Sequence, residues 1–141
     1  TDERCAEVGV RRVDKETLLT QSDVITVQLI LSERTEGLIG ATELSMMKPS
    51  AYIVNTSRGP IIDEAALVSA LSQNLIAGAG LDVFDIEPMA TNHPLRGLDN
   101  AVLTGHTGYV VQELYDIVYA EAVENVSSWL DGNAQRVLNA S

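Results

Sequence analysis

Three side chains stand out for chemistry: Arg58 in Asn55-Thr56-Ser57-Arg58-Gly59, Glu87 in Asp82-Val83-Phe84-Asp85-Ile86-Glu87-Pro88, and His106 in Gly105-His106-Thr107-Gly108. Each lies in a loop just after a predicted strand, where an open parallel α/β sheet assembles its site. An arginine offers a planar fork that suits a carboxylate, and a histidine backed by an acid can hold or release a proton near neutrality. These types together suit proton and hydride chemistry on a 2-oxo or 2-hydroxy acid. Each also has a plainer alternative: Arg58 as a surface ion-pair partner, Glu87 as a solvated acid, His106 as an ordinary loop histidine. No glycine-rich phosphate turn occurs anywhere in the chain.

The elements that must position these loops can be read from patterning. Thr1 or Asp2 caps a short helix ending at Gly9, and Val10–Val13 reads as a short strand. Asp14 opens a helix over Lys15–Thr20. Val24–Leu29 is mostly apolar and β-branched, the pattern of a strand buried on both faces. Thr42 caps a helix through Met47, Ala51–Asn55 is the next strand, and Asp63–Ser72 is a helix with one buried face. Strands over Ala77–Phe84 and Asn100–Thr104 follow, the first with glycines that allow close backbone approach. A long helix over Val111–Leu130 carries an apolar stripe at Leu114, Ile117, Val118, Ala122 and Val126, read as core or lobe contact, with Trp129 anchoring its end. Strand–helix alternation implies an α/β fold with a parallel open sheet and right-handed crossovers.

Composition bounds the rest. The 141 residues suffice for one domain with a core, and 45% apolar with 21% charged residues is ordinary for a soluble protein. A net charge of −11, spread along the chain, argues against nucleic acid or an anionic membrane as partner. No apolar run reaches the roughly 20 residues of a membrane helix. The lone Cys5 excludes an intrachain disulfide and a cysteine-rich metal site, so no metal is expected. The opening Thr1-Asp2-Glu3-Arg4, without Met, suggests a fragment or processed chain, and a cytoplasmic origin is expected.

Across essentially its whole length the chain resembles the D-isomer-specific 2-hydroxyacid dehydrogenases. The resemblance rests on Ser22-Asp23, Leu31 to Ile39, Met47-Lys48-Pro49, Asn55 to Gly59, Leu81 to Phe84, Glu87-Pro88 and Gly105-His106, in this order. Arg58 and Glu87 stand 29 residues apart, Glu87 and His106 19 apart. The resemblance implies the second half of a doubly wound, Rossmann-like nucleotide-binding lobe over 1–109. The long helix and tail over 110–141 would return toward a substrate lobe. The first strand, its G-x-G-x-x-G turn and the acidic residue that selects NAD are not in this sequence.

The resemblance also implies roles. His106 would be the general acid–base, Glu87 its partner, and Arg58 the grip on the substrate carboxylate. Asp82 would meet the nicotinamide carboxamide. Thr56 and Ser57 would line the nicotinamide ribose side, and Leu29, Ile30 and the loop to Thr35 the adenosine side. Arg58, His106 and the Gly108 backbone would also approach the cofactor, NAD or NADP. Formate dehydrogenases, built alike, carry Gln where Glu87 stands, so Glu87 favours a hydroxy-acid enzyme. The implied partners are a small 2-hydroxy or 2-oxo acid and a second copy in a homodimer. The alternative is a non-catalytic, dehydrogenase-like binding module.

Four positions near the site depart from the family pattern. Gly105 stands where Pro is usual, Thr107 replaces an apolar residue, and Gln28 and Ile30 stand where many members have His and Pro. Gly105 puts site rigidity in question, because it removes the φ that Pro would impose. The missing strands would also leave Val24–Leu29 as an open edge, expected to pair across a dimer or with the first segment of the chain.

Overall fold

The computed structural model describes residues 2–138; Thr1, and with it the alternative cap of the first helix, lies outside them. Contacts divide the chain into one unit up to His106 and a second from Thr107 onward. The first unit is built on four parallel strands in the order β1 (Val24–Val27), β2 (Tyr52–Asn55), β3 (Gly78–Leu81) and β4 (Ala101–Leu103). Helices α1 (Asp2–Glu7), α2 (Lys15–Gln21), α3 (Ala41–Met46) and α4 (Glu64–Ser72) precede or join them. This is an α/β, Rossmann-like fold.

Local chemistry explains the boundaries. Asp14 accepts the Thr17 amide at 2.7 Å and Asp63 the Ala66 amide at 2.9 Å, each satisfying an orphan donor of the first turn. Gly9 ends α1 with φ +71°, its amide bonding Ala6 and the next amide bonding Cys5, the Schellman pattern. Thr42 does not cap α3. Gly40 does, with the Glu43 carboxylate reaching back to its amide at 3.0 Å, because the polar side chain three residues on satisfies the donor from the opposite direction.

The sheet buries one face. Register aligns Ile25, Ile53 and Ala79, and then Val27, Asn55 and Leu81, and all six are buried. Leu19 from α2, Leu44 from α3, and Leu67, Ala70 and Leu71 from α4 complete that core. The opposite face is open: Val24, Tyr52 and Val102 are exposed, the last at 71%. The expectation that Val24–Leu29 is buried on both faces is therefore corrected. β1 alternates exposed and buried residues and ends at Val27, because within the first unit's described residues only one of its faces is packed. Close approach of β3 to β4 is real at Gly78, where a Cβ would lie 2.7 Å from the Asn100 carbonyl oxygen.

Val10–Val13 does not form a strand. Among the described residues the segment has no ladder partner, and β1 pairs only with β2, so the first segment does not cover that edge. Without a neighbouring strand there are no ladder hydrogen bonds, and propensity alone does not supply them.

In the second unit, α5 (Gln112–Leu130) forms as expected, with Asp131 at its C-cap and Gly132 beyond at φ +74°. None of its residues is buried, so the apolar stripe is not core among the described residues. Trp129 is 70% exposed and does not anchor the helix end. Tyr115 and Tyr119, one turn apart, stack with ring centroids 5.4 Å apart. Among the described residues, no helix is long and apolar enough to cross a membrane.

Candidate active site

The carboxyl ends of the four strands carry the candidate residues. β2 ends at Asn55, which is buried and organises the turn after it. Its Oδ1 accepts the Ser57 amide at 3.0 Å, and its Nδ2 donates to the Arg58 carbonyl at 2.9 Å. Ser57 then ties β2 to β1: its hydroxyl donates to the Val27 carbonyl at 2.7 Å and accepts the Leu29 amide at 3.2 Å. Arg58 emerges from this knot exposed, its Nη1 donating to the Ser57 carbonyl at 2.6 Å.

Leu29, Ile30, Thr56, Ser57 and Arg58 line one shallow cleft of about 370 Å³, together with Gln28 and Leu31. Gln28 spans the two strand ends, donating to the hydroxyls of Thr26 at 3.0 Å and Thr56 at 3.3 Å. Thr35 does not line this cleft. Its hydroxyl donates to the Ile30 carbonyl at 2.7 Å and accepts the Ser32 amide at 2.8 Å, so it shapes the loop instead. Asp82, at the end of β3, is buried; it accepts the Thr104 hydroxyl at 2.5 Å, and its amide donates to the Asn55 carbonyl.

Glu87 and His106 meet in a second cleft, of about 300 Å³, walled also by Phe84, Met89, Arg96 and Leu103. His106 Nδ1 lies 2.7 Å from Glu87 Oε2, while Glu87 Oε1 accepts the Phe84 amide at 2.9 Å. The histidine holds the Glu87 carboxyl below the usual carboxylate range, helped by the Phe84 amide and the Arg58 charge, with partial burial opposing them. An ionised Glu87 accepts only, so the proton of this bond sits on His106 Nδ1.

His106 itself occupies the left-handed region at φ +57°, which disfavours a residue bearing a Cβ. Gly105 adopts no such φ, and a Cβ there would meet nothing within 4 Å, so its neighbour and not the glycine carries the unusual backbone. Unusual backbone at a polar cleft is a frequent mark of function.

The structure thus joins Glu87 to His106 and puts Arg58 in the neighbouring cleft, near enough for its charge to act on Glu87. Gly108 belongs to the second unit, in the turn ahead of α5. Sequence reasoning assigns no role to Asn55, Thr104 or Gly59. The Asn-x-Ser spacing is an Asx-turn signal that could have found the first. A Cβ on Gly59 would overlap the Phe84 carbonyl and the Asp85 nitrogen. That close approach joins two loops far apart in sequence and leaves no local trace.

A parallel sheet with an Arg, a Glu–His pair and a buried Asp at its carboxyl ends has the layout in which open α/β domains place nucleotide sites. Residues 1–108 match the D-isomer specific 2-hydroxyacid dehydrogenase, NAD binding domain, and the chain belongs to that family. Its cofactor is accordingly a nicotinamide dinucleotide of the NAD(P) type. Over 130 residues it is 42% identical to a glycerate dehydrogenase of Methylorubrum extorquens, covering 91% of this chain and 41% of that one. A D-lactate dehydrogenase of a Sporolactobacillus species superposes with a TM-score of 0.87 at 30% identity, over 96% of this chain and 45% of that one. The NAD-complexed D-isomer specific 2-hydroxyacid dehydrogenase of Lactobacillus delbrueckii ssp. bulgaricus gives 0.81 at 26% identity, over 92% and 44%. The chain spans about two-fifths of the length of the curated relatives it matches.

Proposed function

We propose that these residues serve an oxidoreductase that interconverts a small 2-oxo acid, of the glyoxylate or hydroxypyruvate kind, with its D-2-hydroxy acid. The observation that carries the proposal is the 2.7 Å Glu87–His106 pair in a cleft at the carboxyl ends of the sheet. The names of the relatives, glycerate dehydrogenase and glyoxylate reductase, supply the substrate class.

The residues present fit part of a nicotinamide dinucleotide. The cleft lined by Leu29, Ile30, Thr56 and Ser57 offers an apolar wall and hydroxyls for the adenosine and ribose sides. Asp82, an acceptor at the end of β3, suits the carboxamide. The glycine-rich turn on which a pyrophosphate normally sits is absent from the sequence. When bound, the cofactor exchanges a hydride with the substrate carbon.

The protein's own contribution is proton transfer and orientation. In reduction, His106 gives a proton to the substrate carbonyl oxygen from Nε2, while Glu87 holds the ring through Nδ1. In oxidation the same nitrogen takes the hydroxyl proton. Arg58 turns from the Ser57 carbonyl to grip the substrate carboxylate, which it can meet with two parallel N–H bonds. The two clefts would then act on one substrate, fixing its carbonyl against the histidine. By family alone, the proposal extends to a homodimeric, cytoplasmic whole protein.

The test pairs intact mass with NADH oxidation in the presence of glyoxylate and hydroxypyruvate. It is run on the 141-residue chain alone and after joining it to the preceding segments of the Methylorubrum relative. We expect no turnover at 15.2 kDa and turnover in the joined protein. Cofactor binding without hydride transfer in the joined protein would support the non-catalytic module instead. Turnover by the short chain would show that the phosphate turn is dispensable.

A further inference from the structure

The first unit holds a second histidine–carboxylate pair. Glu64, the first residue of α4, places Oε1 2.9 Å from His93 Nε2, and both side chains are only 20% exposed. His93 Nδ1 accepts the Leu95 amide at 3.3 Å, so the ring proton sits on Nε2 and points to Glu64. The other carboxylate oxygen of Glu64 accepts the Asp85 amide at 3.3 Å. Glu64 therefore grips the segment bearing Glu87 at both of its ends, Asp85 before and His93 after.

The amide next to Asp85 is the one that Glu87 uses. Phe84 N–H donates to Glu87 Oε1, and Asp85 N–H donates to Glu64 Oε2, so adjacent backbone donors serve the two glutamates. Gly59 closes the arrangement, because its lack of a Cβ lets the Phe84–Asp85 peptide lie against the turn that carries Arg58. Resting on the reading of Glu87 and His106 as the proton-transfer pair, we propose that Glu64, supported by His93, is a positioning residue that sets the Glu87 carboxylate against His106 through the Phe84–Asp85 backbone.

Other groups face this brace. Asp63 precedes Glu64 at the helix start, and Asp85 lies beside it. The Asp85 carboxyl is pushed up by partial desolvation and by Glu64 and Asp63, with His93 opposing and Glu36 adding to the push.

The sign of one titration decides the matter. Neutralising Glu64 removes a negative charge, which through space would lower the Glu87 titration midpoint. Losing the brace would instead weaken the Glu87–His106 bond and raise it. We would follow the Glu87 side-chain carboxyl carbon by NMR against pH in the 141-residue chain, comparing wild type with Glu64→Gln. Gln cannot serve both donors as an acceptor, since one of its terminal atoms is itself a donor. An upward shift of the midpoint supports the proposal; an unchanged or lowered one overturns it.

His93→Ala should shift the midpoint upward too, whereas His93→Gln, which keeps an N–H for Glu64, should restore it. If Glu64→Gln does not fold, this His93 pair decides alone, and equal midpoints for its two variants overturn the proposal. Leu19→Ala, in the buried core on α2, controls for general loosening: it should lower the melting temperature and leave the Glu87 midpoint in place. A shift in that control equal to that in Glu64→Gln would reduce Glu64 to a structural residue. Since the readout is not turnover, failure here leaves the proposed hydride chemistry untouched, and failure of turnover leaves this result standing.

Discussion

Two histidine–glutamate pairs occupy one unit of this protein, and their settings differ. The His93–Glu64 pair is 20% exposed on both sides, and His93 has ordinary backbone at φ −64°. Both its ring nitrogens serve the fold, one toward Glu64 and one capping the Pro94–Gly97 turn. The His106–Glu87 pair is 36% and 34% exposed, faces a cleft, and holds its histidine at φ +57°. Side-chain type is therefore a poor guide to role. Exposure and backbone conformation distinguish the two pairs, in keeping with the proposed roles of brace and proton carrier.

The largest expected difference between the pairs is in turnover. In the protein joined to the relative's preceding segments, His106→Gln should lower kcat by roughly 10²- to 10⁴-fold, the usual worth of a positioned acid–base. His93→Gln should cost only a few-fold, measured in the same assay. Similar losses for both would erase the distinction.

Next in size is the contact that links the two regions. Gly59→Ala forces a methyl group into the Phe84–Asp85 peptide and should destabilise the chain by about 3 kcal/mol, the upper range for overpacking. Urea unfolding measures it. A neutral result would mean that the two loops part at little cost.

The smallest effect is a pH dependence. The Glu87 carboxyl is held below its usual range in the folded protein, chiefly by His106. Its contribution is therefore present above the unfolded pKa, about 4.3, and is lost as pH falls through the lower folded value. Thermal melts between about pH 6 and 3 should show a shallower acid loss in Glu87→Gln than in wild type. Identical curves would mean that the pair adds nothing to stability, as a half-exposed pair could.

Much of this architecture is legible in the order of residues. Asp14 and Asp63 announce their caps because an N-cap is a contact over three residues. The strand centres around Ile25 and Ile53 are legible because β-branched runs have few alternatives. The resemblance singles out Arg58, Glu87 and His106 as candidates because it rests on the order and spacing of short motifs in the sequence itself. Context is what local patterns lack. Val10–Val13 has strand composition but no neighbour, and the α5 stripe has helical periodicity but buries nothing among the described residues. Periodicity shows which face would be buried and not whether anything arrives to bury it.

Residue types, the succession of strands and helices, and the local caps follow from the chain's own order, since they depend on neighbours three or four positions away. Tertiary packing was needed to bring Glu87 to His106 across 19 residues and Glu64 to His93 across 29, and to turn Arg58 to its neighbour's carbonyl in a separate cleft. Those pairings depend on how strand ends align in the sheet and on how closely the Gly59 turn and the Phe84–Asp85 peptide can approach. Such distances are set by packing of the whole unit, and no local pattern carries them.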